Sequence, residues 1–102
     1  MARKKHSIIQ KYNNRCFLCR RNGTEDPLDE HHVFFGPYRS KSEEYGLKVY
    51  LCHDRCHIFG ENSVHKNADV CRKVQRTVQV YAMKYYEWDF GDFIERFGRS
   101  YL

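Results

Sequence analysis

Glu30-His31-His32-Val33 is the stretch around which this chain is organised, because two adjacent histidines directly follow an acidic residue. Apolar residues flank the motif, and Gly36-Pro37 closes the run. We therefore predict a β-strand over Leu28–Phe35. Neighbouring side chains on a strand point to opposite faces, so the strand must twist or bulge for both histidines to serve one centre.

Two cysteine pairs bracket this motif. Cys16 and Cys19 precede it with two residues between them, and Cys52 and Cys56 follow it with three between them. Such spacings let two thiolates from one turn reach the same ion, at about 2.3 Å for zinc. We predict that the four cysteines hold a structural zinc rather than remaining buried free thiols. The longer second spacing leaves His53 as an alternative to one sulfur.

Length and charge narrow the class of protein. At 102 residues the chain is too short for two cores, so we expect a single domain over residues 1–102. A core of this size gives a small stability margin, and bound metal is a common remedy. The net charge of +5 favours an anionic partner, and nucleic acid is the usual one.

Cysteine usage and hydropathy indicate a compartment. The first residues, Met-Ala-Arg-Lys-Lys-His, form no apolar signal segment, and no apolar run is long enough to span a membrane. We therefore expect a cytoplasmic protein with no membrane partner, in which thiols stay reduced and paired cysteines bind metal. Cys71, the fifth cysteine, is expected to pack as a small apolar residue.

Around the central motif, short elements are predicted from capping and turn residues. A basic arm with Arg3, Lys4 and Lys5 precedes a short helix from Ser7 to about Arg15, with Ile8, Ile9 and Tyr12 on its apolar side. A charged loop is expected from Tyr38 to Gly46. It leads to a second strand over Leu47–Leu51, antiparallel to the first, and a turn follows from Gly60 to Ser63.

Two helices are predicted for residues 68–102. The first runs from about Asn67 to Tyr86, where apolar residues recur at spacings of three and four: Val70, Val74, Val78, Tyr81, Ala82 and Tyr85. The second runs from about Asp89 to Phe97 and stops at Gly98. Its inward-facing residues are expected to be Phe90, Phe93, Ile94 and Phe97. This helical spacing favours core packing of the aromatic residues over stacking on bases.

Four of the six histidines lie close to the cysteine pairs: His31, His32, His57 and His65. Metal-assisted hydrolysis needs two kinds of histidine. One kind binds a metal through a neutral nitrogen, and the other takes a proton from water near pH 7. The pattern therefore indicates a metal centre, and the spacing alone leaves the individual roles open.

Taken together, residues 16–67 resemble the HNH, or ββα-metal, nucleases. The resemblance rests on the Cys-x2-Cys pair, the acidic-His-His motif and the Leu-Cys-x3-Cys-His segment that leads towards a helix. The stretch from Phe34 to Leu47 is also similar to small phage and prophage nucleases of this type. The family implies an α+β fold in which a zinc knuckle stabilises a ββα-metal centre, here with two additional C-terminal helices.

The resemblance assigns a role to each histidine. In the family, the first residue of the pair binds the catalytic metal and the second is the general base, which implies His31 as ligand and His32 as base. His57 matches the second ligand position, and His65 is the third candidate. The catalytic ion would be one divalent metal, namely manganese, nickel, cobalt, zinc or magnesium.

The chain departs from the family pattern in two places. Tyr45-Gly46 stand where the family's central asparagine falls, and the extra residue between the second pair of cysteines shifts the register before His57. Both departures concern the second and third metal ligands.

The implied function is a metal-dependent endonuclease that hydrolyses phosphodiester bonds in DNA, with Arg39, Lys41 and Arg55 holding flanking phosphates. One alternative is a non-catalytic zinc module that binds nucleic acid and needs no histidine pair. Another is a zinc-stapled adaptor that binds protein, which leaves the basic charge unexplained. Only the nuclease needs His32 and a second, exchangeable metal. The oligomeric state is left open.

Overall fold

The computed structural model describes residues 6–11 and 13–102, and within them an antiparallel pair of strands carries the histidine motif. Strand β1 is Leu28–His32 and strand β2 is Lys48–Cys52. The register pairs His31 with Val49 and His32 with Lys48. The predicted α+β class and antiparallel pairing are confirmed.

Strand β1 ends at His32 and not at Phe35 as predicted. Just beyond it, the buried Phe34 has left the strand. Its N–H donates to the Ser42 hydroxyl oxygen at 3.1 Å, and its carbonyl accepts from the same hydroxyl at 2.6 Å. Because one buried side chain satisfies both backbone groups, the chain turns inward there and needs no neighbouring strand.

A helix lies where the sequence analysis placed a loop. Helix α1 spans Arg39–Tyr45 and follows one 3-10 turn over Gly36–Tyr38. It ends at Gly46, whose φ of 69° lies in the left-handed region that favours glycine. The loop prediction was wrong because Ser42 is the only buried residue of this short helix, so its sequence has no apolar periodicity.

A wide helical turn connects β2 to the C-terminal helices. The chain leaves Cys52 directly into one turn of π-helix over His53–Ile58. The Asp26 carboxylate caps this turn by accepting from the N–H of Asp54 at 3.0 Å and of Arg55 at 2.9 Å. The turn predicted from Gly60 to Ser63 is confirmed, with a 3.0 Å hydrogen bond from the Ser63 N–H to the Gly60 carbonyl.

Both C-terminal helices are confirmed. Helix α2 spans Ala68–Tyr86, and the Asn67 side chain caps its first turn. Helix α3 spans Phe90–Phe97, begins with a capping box at Asp89 and ends at Gly98. Among the described residues, no helix has the length and apolar character needed to cross a membrane.

The apolar faces of these helices are narrower than predicted. Val74, Val78 and Ala82 of α2 are buried, and so are Phe93 and Phe97 of α3, which pack on Phe34. By contrast, Tyr81 and Tyr85 are 41% and 45% exposed, and Phe90 and Ile94 are also exposed. The predicted inward orientation of Phe90 and Ile94 was wrong, and so was the predicted core packing of Tyr81 and Tyr85, because each apolar stripe is wider than the surface that covers it.

The helix predicted from Ser7 to Arg15 is absent from the described part of that segment, which forms bends. Ser7 does accept N–H bonds from Ile9 and Gln10, as a helix cap would. The Ile8 N–H, however, donates to the Gly46 carbonyl at 3.0 Å, and the Ile8 side chain is buried. Tertiary contacts therefore override the local signal. Arg3, Lys4, Lys5 and Tyr12 lie outside the described residues.

Candidate metal centres

The four paired cysteines converge beside the end of the hairpin. Their sulfur atoms all lie within 4.8 Å of one another, and the sulfurs of Cys19 and Cys52 are 3.4 Å apart. A tetrahedral site with metal–sulfur bonds of about 2.3 Å needs sulfurs roughly 3.8 Å apart. Cys56 completes the group, whereas His53 turns to Asp29. The cysteine cluster is therefore positioned to bind a metal ion.

Local backbone structure brings these thiols together. In the Cys16–Cys19 turn, the Arg20 N–H donates to the Cys16 carbonyl at 2.9 Å. The Phe17 N–H donates to the Tyr50 carbonyl at 2.7 Å and so attaches this turn to β2. Cys52 ends β2, and Cys56 follows within the π-helical turn. All five cysteines are free thiols.

The pKa values of the thiols in this cluster favour the binding of a cation. Burial raises the pKa of Cys16, but hydrogen bonds from nearby backbone groups outweigh it and bring the pKa to about 7. Burial and the neighbouring thiols raise the pKa of Cys52 to about 12, and they also raise the pKa of Cys56. The Cys16 thiol therefore ionises readily, while Cys52 and Cys56 hold their protons until a cation compensates the charge.

A second cluster consists of His31, His57 and His65. The ring centroid of His31 lies 5.0 Å from that of His57 and 5.6 Å from that of His65. The centroids of His57 and His65 are 4.8 Å apart. Each ring offers a nitrogen within 4.8 Å of the other two. The three histidines that the sequence analysis predicted as catalytic-metal ligands are thus brought together from β1, the π-helical turn and the segment after it.

The environment keeps His31 and His65 in the form that binds metals. Burial and, to a smaller extent, the charges of the neighbouring histidines together lower the pKa of His31 to about 3. Burial, with a smaller effect of His57, also lowers the pKa of His65. His31 and His65 therefore present neutral imidazole nitrogens at pH 7, and neutral imidazole is the metal-ligating form.

Asp29 orients one member of the cluster and was missed by the sequence analysis. Its Oδ2 accepts hydrogen bonds from Nδ1 of His57 at 2.8 Å and from Nδ1 of His53 at 2.5 Å. Burial would raise the pKa of Asp29, but these two histidines lower it overall, so the carboxylate stays ionised. The bond leaves Nε2 of His57 available as a ligand atom. Alternation along β1, which puts Asp29 on the face of His31, was the available signal.

His32 has a different set of partners. Its Nε2 lies 2.8 Å from Oε1 of Glu43, and Oε2 of Glu43 lies 2.9 Å from Nζ of Lys48. Glu30, His32 and Glu43 also offer three ligand atoms within 4.8 Å, but the Lys48 ammonium already contacts both carboxylates. The Lys48 ammonium is therefore already the cation beside Glu30 and Glu43.

Both motif histidines reach one cavity despite their different partners. The cavity has a volume of about 210 Å³ and is lined by Glu30, His31, His32, Phe35, Arg39, His57 and His65. Within the described residues, strand β1 pairs only with β2. Side chains from both faces of β1 line the cavity. No bulge is present in the register of β1 with β2.

The basic residues predicted to contact phosphates are separated. Arg39 lines the histidine cavity. Lys41 is exposed on α1, and Arg55 lines another cavity, of about 570 Å³, beside Asp26 and Phe59. Arg39 is thus the only one of the three that the structure places among the lining residues of the histidine cavity.

Comparisons with known proteins found no relative of this chain. No protein-family model matches the chain, and neither the curated proteins nor the solved structures contain a match. The assignment of a function therefore rests on the residues of the two clusters and on their geometry.

Proposed function

We propose that this chain is a metal-dependent endonuclease of the HNH type that hydrolyses phosphodiester bonds in DNA. The observation that carries the proposal is the convergence of His31, His57 and His65 at a cavity that His32 and Arg39 also line. A metal site, a base and an arginine at one cavity are the parts that phosphodiester hydrolysis requires. The net charge of +5 supports a polyanionic partner.

Two ions have separate roles in this proposal. Zinc in the four-cysteine cluster is structural, because four thiolates close its coordination sphere. A divalent ion held by His31, His57 and His65 would polarise the phosphate and stabilise the departing 3′ oxygen. His65 is exposed, which leaves that side of the site open to substrate.

The side chains of the protein supply the remaining steps. Nδ1 of His32 takes a proton from the attacking water, a contribution of about 10²–10⁴-fold for a general base. The bond from Nε2 to Glu43 stabilises the resulting imidazolium. Arg39 holds a phosphate oxygen at the cavity, and Asp29 keeps His57 in its ligating orientation.

Metal counting combined with plasmid cleavage tests the proposal. A nuclease should hold one zinc tightly and a second divalent ion in exchangeable form, and it should nick or linearise supercoiled plasmid. One tight metal with DNA binding and no cleavage would instead identify a non-catalytic zinc module. If the zinc-loaded protein cleaves no DNA with any of the five candidate ions, the proposed function is wrong.

The choice of ion is itself predictable. Imidazole ligands favour transition metals, whereas magnesium prefers oxygen ligands. Plasmid nicking assayed across the five ions should therefore be supported by manganese, cobalt, nickel or zinc and only poorly by magnesium. Activity with magnesium alone would indicate that Glu30, which also lines the cavity, holds the ion in place of His31.

Asp29→Asn should weaken binding of the catalytic ion by about 10- to 100-fold, because a neutral amide no longer fixes His57 as a carboxylate does. Calorimetric titration of manganese into protein with a loaded cysteine site measures this affinity. Glu25→Gln is the matched control, since Glu25 is exposed and outside the cluster. Equal manganese affinity in Asp29→Asn and the control would remove Asp29 from the site.

A further inference from the structure

Lys48 is a buried charge within the hairpin. Only 1% of its side chain is exposed, and its Nζ contacts Oε2 of Glu43 at 2.9 Å and Oε1 of Glu30 at 3.4 Å. Burial of an ammonium is costly unless anionic partners compensate it. The buried position of Lys48 therefore depends on the two carboxylates, and Lys48 in turn restrains them.

Glu43 connects Lys48 to the histidine motif. One of its oxygens contacts Lys48, and the other lies 2.8 Å from Nε2 of His32. A carboxylate beside an ammonium stays ionised and can only accept hydrogen bonds. Nε2 of His32 must therefore carry the proton of that bond, which leaves Nδ1 as the unprotonated nitrogen of the neutral ring.

We propose that Glu43 is the positioning residue of His32, and that Lys48 holds Glu43 in place. The inference rests on the proposed function for its effect on catalysis. Glu43 fixes the orientation and the tautomer of the ring, so that Nδ1 is the atom that accepts a proton from water. This assigns a role to α1, because the helix carries Glu43 to a point beside the strand.

Glu43→Gln tests this role against Glu44→Gln, the same change at the next position of α1, where the side chain is exposed. We expect Glu43→Gln to lower kcat for plasmid nicking by at least about tenfold, and by no more than the 10²–10⁴-fold that a general base contributes. KM for DNA and the content of both metals should stay unchanged, and Glu44→Gln should behave as wild type. A loss of the second metal in Glu43→Gln would show that Glu43 is a ligand and overturn the assignment.

A second variant keeps the test decisive if Glu43→Gln unfolds. Glu43→Gln with Lys48→Met removes the buried ammonium together with its nearer partner and leaves the Glu30 carboxylate, whose side chain is 26% exposed to solvent. This double variant should fold and show the same fall in kcat. Wild-type kcat in the double variant would overturn the proposal.

The tautomer of His32 gives a readout that needs no activity. Long-range ¹H–¹⁵N NMR spectra of the neutral ring should show the Nε2–H form in wild type, with a proton resonance that moves upfield in Glu43→Gln. An Nδ1–H form in wild type would overturn the inference whether or not the protein cleaves DNA.

If His32→Ala abolishes cleavage while Glu43→Gln matches Glu44→Gln, the inference fails and the proposed function stands. If wild type cleaves nothing, the proposed function fails and the tautomer alone decides whether Glu43 orients His32.

Discussion

His32→Ala is expected to lower the single-turnover rate of DNA cleavage by about 10²–10⁴-fold, because it removes the only group proposed to activate water. The cysteine cluster and the three histidines of the proposed metal site are untouched, so zinc content and binding of the second ion should stay at wild-type levels. Cleavage of supercoiled plasmid at saturating metal measures the rate, and DNA affinity is measured separately without metal.

His32→Gln is the matched variant for this experiment. Alanine leaves Glu43 without its histidine partner, whereas the glutamine amide can still donate to that carboxylate and cannot take a proton from water. His31→Ala should also lose cleavage, but excess metal should partly restore it, since His31 is the proposed ligand. Excess metal should restore nothing in either His32 variant. A lowered melting temperature with an intact cleavage rate in both His32 variants would show that His32 only packs.

The cysteine ligands could be predicted from the sequence because the two members of each pair are close together in the chain. Cys16 and Cys19 share one turn, and Cys52 and Cys56 are separated by part of another, so spacing alone suggested a common ion. The convergence of His65 with His31 is different, since it depends on the path of the chain after the π-helical turn. The position of His65 near the cysteine pairs indicated a metal centre, and only the family resemblance suggested that His65 is a ligand.

The residues that support His32 could not be predicted because their contacts are long-range. Glu43 lies in a segment with no apolar periodicity, and its contact with His32 appears only when α1 folds back on the strand. Lys48 has the polarity of a surface residue, and its burial depends on the two carboxylates that meet it. The predicted helix after Ser7 failed for the same reason, since the decisive partner of Ile8 is the distant Gly46.

Stripping the ion from the cysteine cluster, or changing Cys16 or Cys19 to Ser, is expected to unfold the domain. The cluster joins the Cys16–Cys19 turn, the end of β2 and the π-helical turn, and Cys16 and Cys52 are fully buried within it. A structural zinc contributes about 10–16 kcal/mol of binding energy at pH 7, which is as large as the whole stability of about 5–15 kcal/mol that a domain usually has. Circular dichroism melts and zinc analysis of each purified variant measure the effect.

Cys71→Ser is the matched control, because Cys71 is a partly buried free thiol on α2 outside the cluster. It should retain one zinc per chain and melt close to wild type. The effect of the cluster variants should also reach the histidine site, since Cys56 and His57 are neighbours in one turn and cannot move independently. Any folded fraction of Cys16→Ser should therefore bind the second metal more weakly. A Cys16→Ser protein that lacks zinc and still has the melting temperature of the wild type would show that the cysteine cluster does not hold the fold together.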